Sequence, residues 1–473
     1  MSISAAFNSA LSGLTATSRL TDVISGNLAN ALTPGHAPRT LELQARDPGG
    51  GVAVSGVTRH VDPVLVSDRR LAESTLAGAR TRADFAASLE STLGLPGDGG
   101  GIADRLAAFE AAIATASSRP EDETRLGVVL REATTLATAL NDATKQIETL
   151  RSRADSRIAG AVEELDAGLA QVAQINTRIV SASAAGHETA ALEDRRQQAI
   201  DTIAELVPVR QLERDRGVVA LVSTGGALLL DGKPAQIGFE ATRLVTANMT
   251  LENGLVSGLE LGGQPVPTGT DGPLSGGRIG ALFDSRDRLG PEAQRGLDAF
   301  ARDLAERVES LTPSPSPGLF TDAGERLNPA AEDGLAGRLA VNPEIDPAQG
   351  GALFRLRSGP DATSPSPPGD APYLAALAQA LSARQAPEPG AAQRDLSTHV
   401  AQLSSRAAQE RLATEGAVSF ASGQAGELRE LELRGGVDSD AELQRLLVVE
   451  QAFSANARMI QTLDDMMQTL LRI

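Results

Sequence analysis

Any chemistry in this 473-residue chain would have to start from its titratable side chains, and these are scattered. The four histidines, His36, His60, His187 and His399, stand far apart, with no HExxH and no carboxylate at metal-ligand spacing. The chain has no cysteine, which removes thiolate ligands, thiol nucleophiles and disulfides together. No GxxxxGK(S/T), GxGxxG or GxSxG run is present, so neither a phosphate cradle nor a nucleophile elbow can be assembled. The pairs Glu163-Glu164 and Asp464-Asp465 have the composition of an acid and a base, but both fall in helical pattern, where adjacent acids form a solvated face. Asn248-Met249-Thr250 fits a glycosylation sequon as readily by chance as by design. The expectation is a protein that is not an enzyme and that uses no cofactor and no metal.

Charge narrows the partners. A net charge of −18 and a pI near 4.8 argue against nucleic acid, which needs clustered cations to displace counterions, and equally against anionic membrane surfaces. No stretch approaches eighteen consecutive apolar residues, so membrane insertion is not expected. The first thirty residues lack a cationic segment followed by an apolar one, which argues against a cleaved secretory signal. Aromatic residues make up 2% of the chain, with no Trp, a single Tyr at 373 and ten Phe, so the core must be built from Ala, Leu, Val and Ile. Such short side chains favour thin helical layers.

The pattern along the chain is helices, a β insertion, then helices. A first helix is predicted from about Ser4 to Ala31, stopped at Thr33-Pro34-Gly35. Two extended segments follow within the first unit, residues 1–61. Residues 62–208 form a long helical bundle, opened by Asp62-Pro63, in which Pro120 to Gly186 runs without proline as a rod of roughly 100 Å. Residues 209–274 turn to branched residues broken by glycine, a small antiparallel β insertion. A returning helix occupies 275–311, and 312–370 is Pro- and Gly-rich, a minor lobe with no convincing core of its own. Bundle helices return over 371–437, and 438–473 is a C-terminal helix.

The two ends share one rhythm. At the C-terminus a seam reads Leu446, Val449, Phe453, Asn456, Ile460, Leu463, Met467, Leu470, stepping by three and four. At the N-terminus a softer version runs through Ile3, Phe7, Leu14, Ile24 and Leu28. Asn456, polar within an apolar seam, is the type of residue that fixes register at some cost in stability. The fold class is therefore mainly α: a long antiparallel helical bundle or rod, its N- and C-terminal helices paired as a coiled coil, with the β insertion attached.

These ends also carry a resemblance. ALSGLTATSRLTDVISGNLANALTPG resembles the N-terminal signature of the flagellar rod, hook and hook-associated proteins, with Asn27-Leu28-Ala29-Asn30, then Thr33-Pro34-Gly35, and His36 where that superfamily usually has Tyr. The last segment, RGGVDSDAELQRLLVVEQAFSANARMIQTLDDMMQTLLRI, resembles its C-terminal region, although Phe453 stands where Tyr is commoner and Asp438-Ser439 replaces the usual Asn-Leu. The helical middle, with INTRIVSASAAGHETAALEDRRQQAIDTIAELV and GGRIGALFDSRDRLGPEAQRGLDAFARDLAERV, is similar to the hook-associated protein 1 family, the first hook-filament junction proteins.

The resemblance implies a secreted structural subunit of the bacterial flagellum joining hook to filament. It implies as partners copies of the chain in a ring, the hook protein, the second hook-filament junction protein and a flagellar export chaperone. It makes the two seams above an assembly interface, and Asn27, Asn30, Pro34 and Gly35 a turn motif. A hook or distal-rod subunit of the same superfamily, or an unrelated intracellular coiled-coil scaffold, would share parts of this pattern; the first would carry more β-structure in the middle.

Overall fold

The computed structural model describes residues 3–472 apart from 34, 47–49, 95, 96, 98, 314 and 387–391. Helix α1 (Ile3–Ala29) leads into a hairpin of β1 (Arg39–Ala45) and β2 (Val52–Arg59). Four helices follow: α2 (Pro63–Leu93), α3 (Ile102–Ser117), α4 (Glu123–Ala184) and α5 (Ala190–Leu206). The insertion holds an antiparallel meander, β3 (Val209–Glu213), β4 (Val219–Ser223), β5 (Leu228–Asp231) and β6 (Lys233–Pro234). Beside it stands a three-stranded sheet of β7 (Ile237–Gly238), β8 (Leu259–Leu261) and β9 (Gln264–Val266). Then come α6 (Gly277–Asp284), α7 (Gly290–Glu309), β10 (Phe320–Asp322), α8 (Leu335–Arg338), β11 (Leu339–Val341), α9 (Arg355–Ser358) and α10 (Pro372–Ser382), and finally α11 (Leu396–Arg434) and α12 (Ser439–Leu471).

Helix starts follow local chemistry. Asp62 caps α2, accepting from the amides of Val64 at 2.9 Å and Leu65 at 3.2 Å, with Pro63 at the first helical position. Asp122 does the same for α4 through Thr124 and Arg125, and Asp438 for α12 through Asp440 and Ala441. The departure from the superfamily pattern at Asp438 thus keeps a working cap. Gly186, with φ +73, ends the α4 segment where an L-residue would be strained.

Helix α4 is the spine. Its 62 residues make a rod of about 93 Å, and its buried positions Leu126, Val129, Ala133, Leu136, Leu140, Ala143 and Ile147 step by three and four without a break. That half belongs to a core shared with α2, α3, α7, α10 and α11. Beyond it Ile158, Val162, Leu165, Leu169 and Val172 enter a second core with α5, α6 and the β insertion. Where the two cores meet, Asp155 and Arg286 form an ion pair at 2.5 Å with neither side chain exposed. Arg286 sits on a π-helical turn, Ser285–Leu289, between α6 and α7, a feature the sequence pattern does not announce. Its guanidinium also donates to the Ser257 carbonyl at 2.8 Å and lies 5.0 Å from the Phe283 ring centroid. Arg151, one turn before Asp155, donates to the carbonyls of Arg286, Thr246 and Met249, so one cationic patch gathers the irregular 239–257 loop.

The segment 312–370 has no core of its own; it completes the main one. Leu319, Phe320, Leu335, Ala336, Leu339, Ile345 and Leu356 are all buried in the core built on α4, and the Phe320 ring meets Phe109 edge-on at 5.7 Å. Its irregular backbone is satisfied by helix side chains. Asn141 donates to the carbonyls of Ala336 and Leu339, and the Asp298 carboxylate accepts from the amides of Gly334 and Ala336, each at 2.9 Å. Burial pushes the Asp298 carboxyl above its ordinary value in spite of these bonds.

Because Phe320 belongs to the shared core, Phe320→Ala should destabilise the bundle by about 3–5 kcal/mol. In denaturant unfolding the whole helical signal should shift to a lower midpoint. A separate early transition, with the main transition unmoved, would mean that 312–370 is an independent lobe.

Candidate assembly surface on the terminal helix pair

Helices α1 and α12 pack side by side, and their contacts give the direction. Gly13 lies against Asn456, and Asn27 bonds to Glu442: fourteen residues forward on one helix match fourteen back on the other, so the pair is antiparallel. At Gly13 a Cβ would stand 2.9 Å from the Asn456 amide atoms. The polar residue in the C-terminal seam is therefore accommodated by a glycine opposite it, where a larger residue would force the Asn456 side chain to shift.

Seam positions fall into three groups. Ile24, Val449 and Leu463 are buried, together with Ala10 and Ala16; Leu14, Leu28, Leu446, Asn456 and Ile460 are half-buried. Phe7, Phe453 and Met467 are 41%, 42% and 51% exposed, so this pairing covers only part of each. Pro34 and the side chains of Ile3 and Leu470 lie outside the described residues.

The turn motif does structural work at the base of the pair. Asn27 is buried; its amide nitrogen donates to the Arg39 carbonyl at 2.8 Å and to Glu442 Oε1 at 3.3 Å, while its oxygen accepts from the Arg39 amide at 3.1 Å. One side chain thus joins α1, β1 and α12. Asn30 donates back to the Gly26 carbonyl at 2.9 Å and accepts from the Thr33 hydroxyl, holding the turn. Gly35 has φ +78, and a Cβ there would meet Gln198 on α5 at 3.0 Å.

Below the turn, one carboxylate ties this unit to the bundle. Asp194 on α5 takes Arg59 Nε at 2.6 Å, pairs with Arg39, and faces His36 Nδ1 at 3.5 Å. Burial lowers the His36 pKa, Asp194 opposes that, and Arg39 and Arg59 push it down further; the net direction is below the ordinary histidine value. A second tie runs between the antiparallel helices α2 and α11: Glu73 with Arg429, Arg69 with Glu432, and Glu90 with Arg411. Arg69 and Arg70 also reach Asp201 on α5, at 3.0 and 2.6 Å.

Among the described residues no three His, Cys, Asp or Glu side chains gather around a metal-sized space, and no helix is long and apolar enough to cross a membrane. The nearest thing to a catalytic dyad is His399, whose Nδ1 meets Asp303 at 2.8 Å. Its Nε2 faces Arg394 at 3.1 Å, a cation with no hydroxyl to activate, and Asp303 is shared with Arg307 at 2.7 Å. Burial would raise the Asp303 carboxyl, but His399 and Arg307 outweigh it and hold it below the usual range. The Asp303–His399 contact stitches α7 to α11. Sequence reasoning did not single out Asp194 or Gly13, and neither carries a periodic signal that could have found them.

The ends of the chain form an antiparallel helix pair, with a long helical bundle and a small β insertion strung between them. Comparison with known proteins matches these parts segment by segment to flagellar families. Residues 7–36 match the flagellar basal body rod protein family, residues 86–313 the helical domain of flagellar hook-associated protein FlgK, and residues 435–473 the C-terminal family of the flagellar basal body rod FlgEFG proteins. Flagellar hook-associated protein 1 of Bacillus subtilis (strain 168) is 25% identical over 365 residues, covering 68% of this chain and 71% of that protein. The protein of the same name from Escherichia coli (strain K12) is 22% identical over 311 residues, covering 63% of this chain and 56% of that protein. The flagellar hook junction protein FlgK of Burkholderia pseudomallei aligns with a TM-score of 0.45 at 22% identity, over 55% of this chain and 47% of that one. The chain is thus similar to flagellar hook-associated protein 1 through its helical middle and to the flagellar rod families at its two ends.

Since the folded state favours neutral His36, the unfolded chain binds more protons below the ordinary histidine pKa of 6.5, and the stability owed to this site is lost as pH falls from there towards the lowered folded value. Proton NMR of the folded chain should show His36 titrating with a midpoint below 6.5. His36→Gln should flatten the part of the stability-pH profile between those values; an unchanged profile would count against this assignment.

Proposed function

We propose that this chain is the structural subunit that joins hook to filament outside the cell, and that it assembles through its terminal helix pair. The observation that carries the reading is a second seam on α12. Beside the stripe that faces α1, the positions Val448, Ala452, Ala455, Met459, Thr462 and Met466 step by four and three in the same way. Val448, Met459 and Met466 are 65%, 50% and 52% exposed. An apolar stripe at coiled-coil spacing beside an occupied one is a seat for a further helix, and within a ring the helix available is that of the neighbouring copy. Phe453 and Met467, only part-covered by α1, border it.

The family match to the helical domain over 86–313 supports this reading over a hook or distal-rod subunit. Partners at the two ends of the ring are then the hook protein and the second hook-filament junction protein, and a flagellar export chaperone shields the exposed stripe of α12 before assembly. An intracellular scaffold finds no support in these relatives.

The double substitution V448E/M459E sits on exposed positions, so the isolated chain should keep its stability within about 0.5 kcal/mol. In cells, hooks should appear without filaments and swimming should be lost. Normal filaments on cells carrying this variant would remove the second seam from the assembly.

A further inference from the structure

A second surface, separate from the terminal pair, has the form of a helix seat. A groove of about 1150 Å³ runs between α2, α3 and α4. Its lining on α4 extends from Gly127 to Arg153, about 39 Å of helix, which is the length of a docked helix and far more than a small ligand spans. The walls are short side chains such as Ser91, Thr134, Thr138 and Ala139, which let a helix come close.

The charge of this groove is opposite to that of the chain. Arg105, Arg131 and Arg153 line it in a molecule of net charge −18. Among the described residues Arg105 and Arg153 make no ion pair, and Arg131 meets only the adjacent Glu132, at 3.2 Å. Two carboxylates against three arginines leave the lining net positive: Asp142 faces Lys145 at 3.5 Å, and Asp346 accepts from the Ala348 amide at 2.9 Å and from Gln349 at 3.0 Å.

The outer face of α11 is the complement. Gly416, Gly423 and Gly426 have nothing within 4 Å of where a Cβ would sit, and between them Phe420 is 75% exposed. Exposed glycines inside a helix cost about 1 kcal/mol each relative to alanine, so keeping three around a bare aromatic favours a close-packing role. Acidic residues flank it. Glu415 and Glu430 pair only with Arg411 and Arg434, one turn away on the same helix, and Glu427 has no ion pair among the described residues.

We propose that α11 of one copy lies in the α2-α3-α4 groove of the next, with Phe420 seated among the short side chains around Thr138 and the glutamates facing the three arginines. The inference rests on the reading that copies stand side by side in the flagellum. Groove and helix are different patches of one chain, so the contact is heterologous and propagates around a ring instead of closing as a dimer. Charge complementarity of this type favours correct register over raw affinity.

Because the chain contains no cysteine, Thr138→Cys and Phe420→Cys placed in one chain report this contact alone. Hook-filament particles purified from cells carrying T138C/F420C, oxidised and separated without reductant, should give a ladder of dimer, trimer and higher species, and either single variant should give none. Adding R131E/R153E should reduce the ladder at least ten-fold, and E415R/E427R on that background should restore it. Particles that contain the chain but give no ladder overturn the inference and leave the junction reading standing. A ladder from F420C alone would set α11 against a second α11 and also overturn it. Particles from unsubstituted cells that lack the chain at the junction would overturn the junction reading itself.

Discussion

The antiparallel meeting of the two chain ends is the constraint on which the rest depends. Asn27 and Glu442 stand 415 positions apart in sequence, yet they are hydrogen-bonded. Every element between them must therefore leave and return to one place, and it does so through a second antiparallel pair, α2 with α11, held by Glu73-Arg429 and Glu90-Arg411. Closing so long a loop is entropically tolerable because the cost rises only with the logarithm of its length, while the bundle in between is folded in its own right around α4. The register of the end pair is then fixed by the close approach of Asn456 to Gly13 and the hydrogen bond of Asn27 to Glu442, and the small apolar residues of α1 supply bulk without selecting a position.

Charged side chains mark the joints between layers. Asp194 gathers the turn and hairpin onto α5, Asp201 receives α2, Asp155 with Arg286 sits between the two cores, and Asp303, held by Arg307 on its own helix, links α7 with α11 through His399. Buried ion pairs of this type add little net stability over apolar packing, but removing one partner leaves an uncompensated charge, so they make the arrangement of layers specific. In a chain with few aromatic residues, whose apolar surfaces are smooth and much alike, that specificity has to come from polar groups.

Much of this was legible in the sequence. Periodicity located α1, α2, α4, α11 and α12, Asp-Pro and Thr-Pro-Gly marked their boundaries, and the twin seams pointed to the pairing of the ends. The segment 312–370 was legible only as an absence of pattern. Leu319, Phe320, Leu339 and Leu356 are buried in a core supplied by other helices, and its backbone partners, Asn141 and Asp298, lie at distant positions, so no local window could contain the signal. The π turn carrying Arg286 was hidden for the same reason: its justification is the Asp155 carboxylate, 131 residues earlier. The exposed state of Phe7, Phe453 and Met467 could not be read from spacing, because a 3.5-residue repeat identifies a stripe and says nothing of how many neighbours share it.

Helix α4 runs unbroken through both cores, and this has a mechanical consequence. A twist applied to the side chains of one core has no loop in which to dissipate before it reaches the other; the rod must turn as a unit, and close-packed interiors pass the load on with little compression. The end pair joins the bundle at the hairpin, where Asp194 ties it to α5. A rod that is continuous through both cores is suited to passing rotation from one end of the molecule to the other.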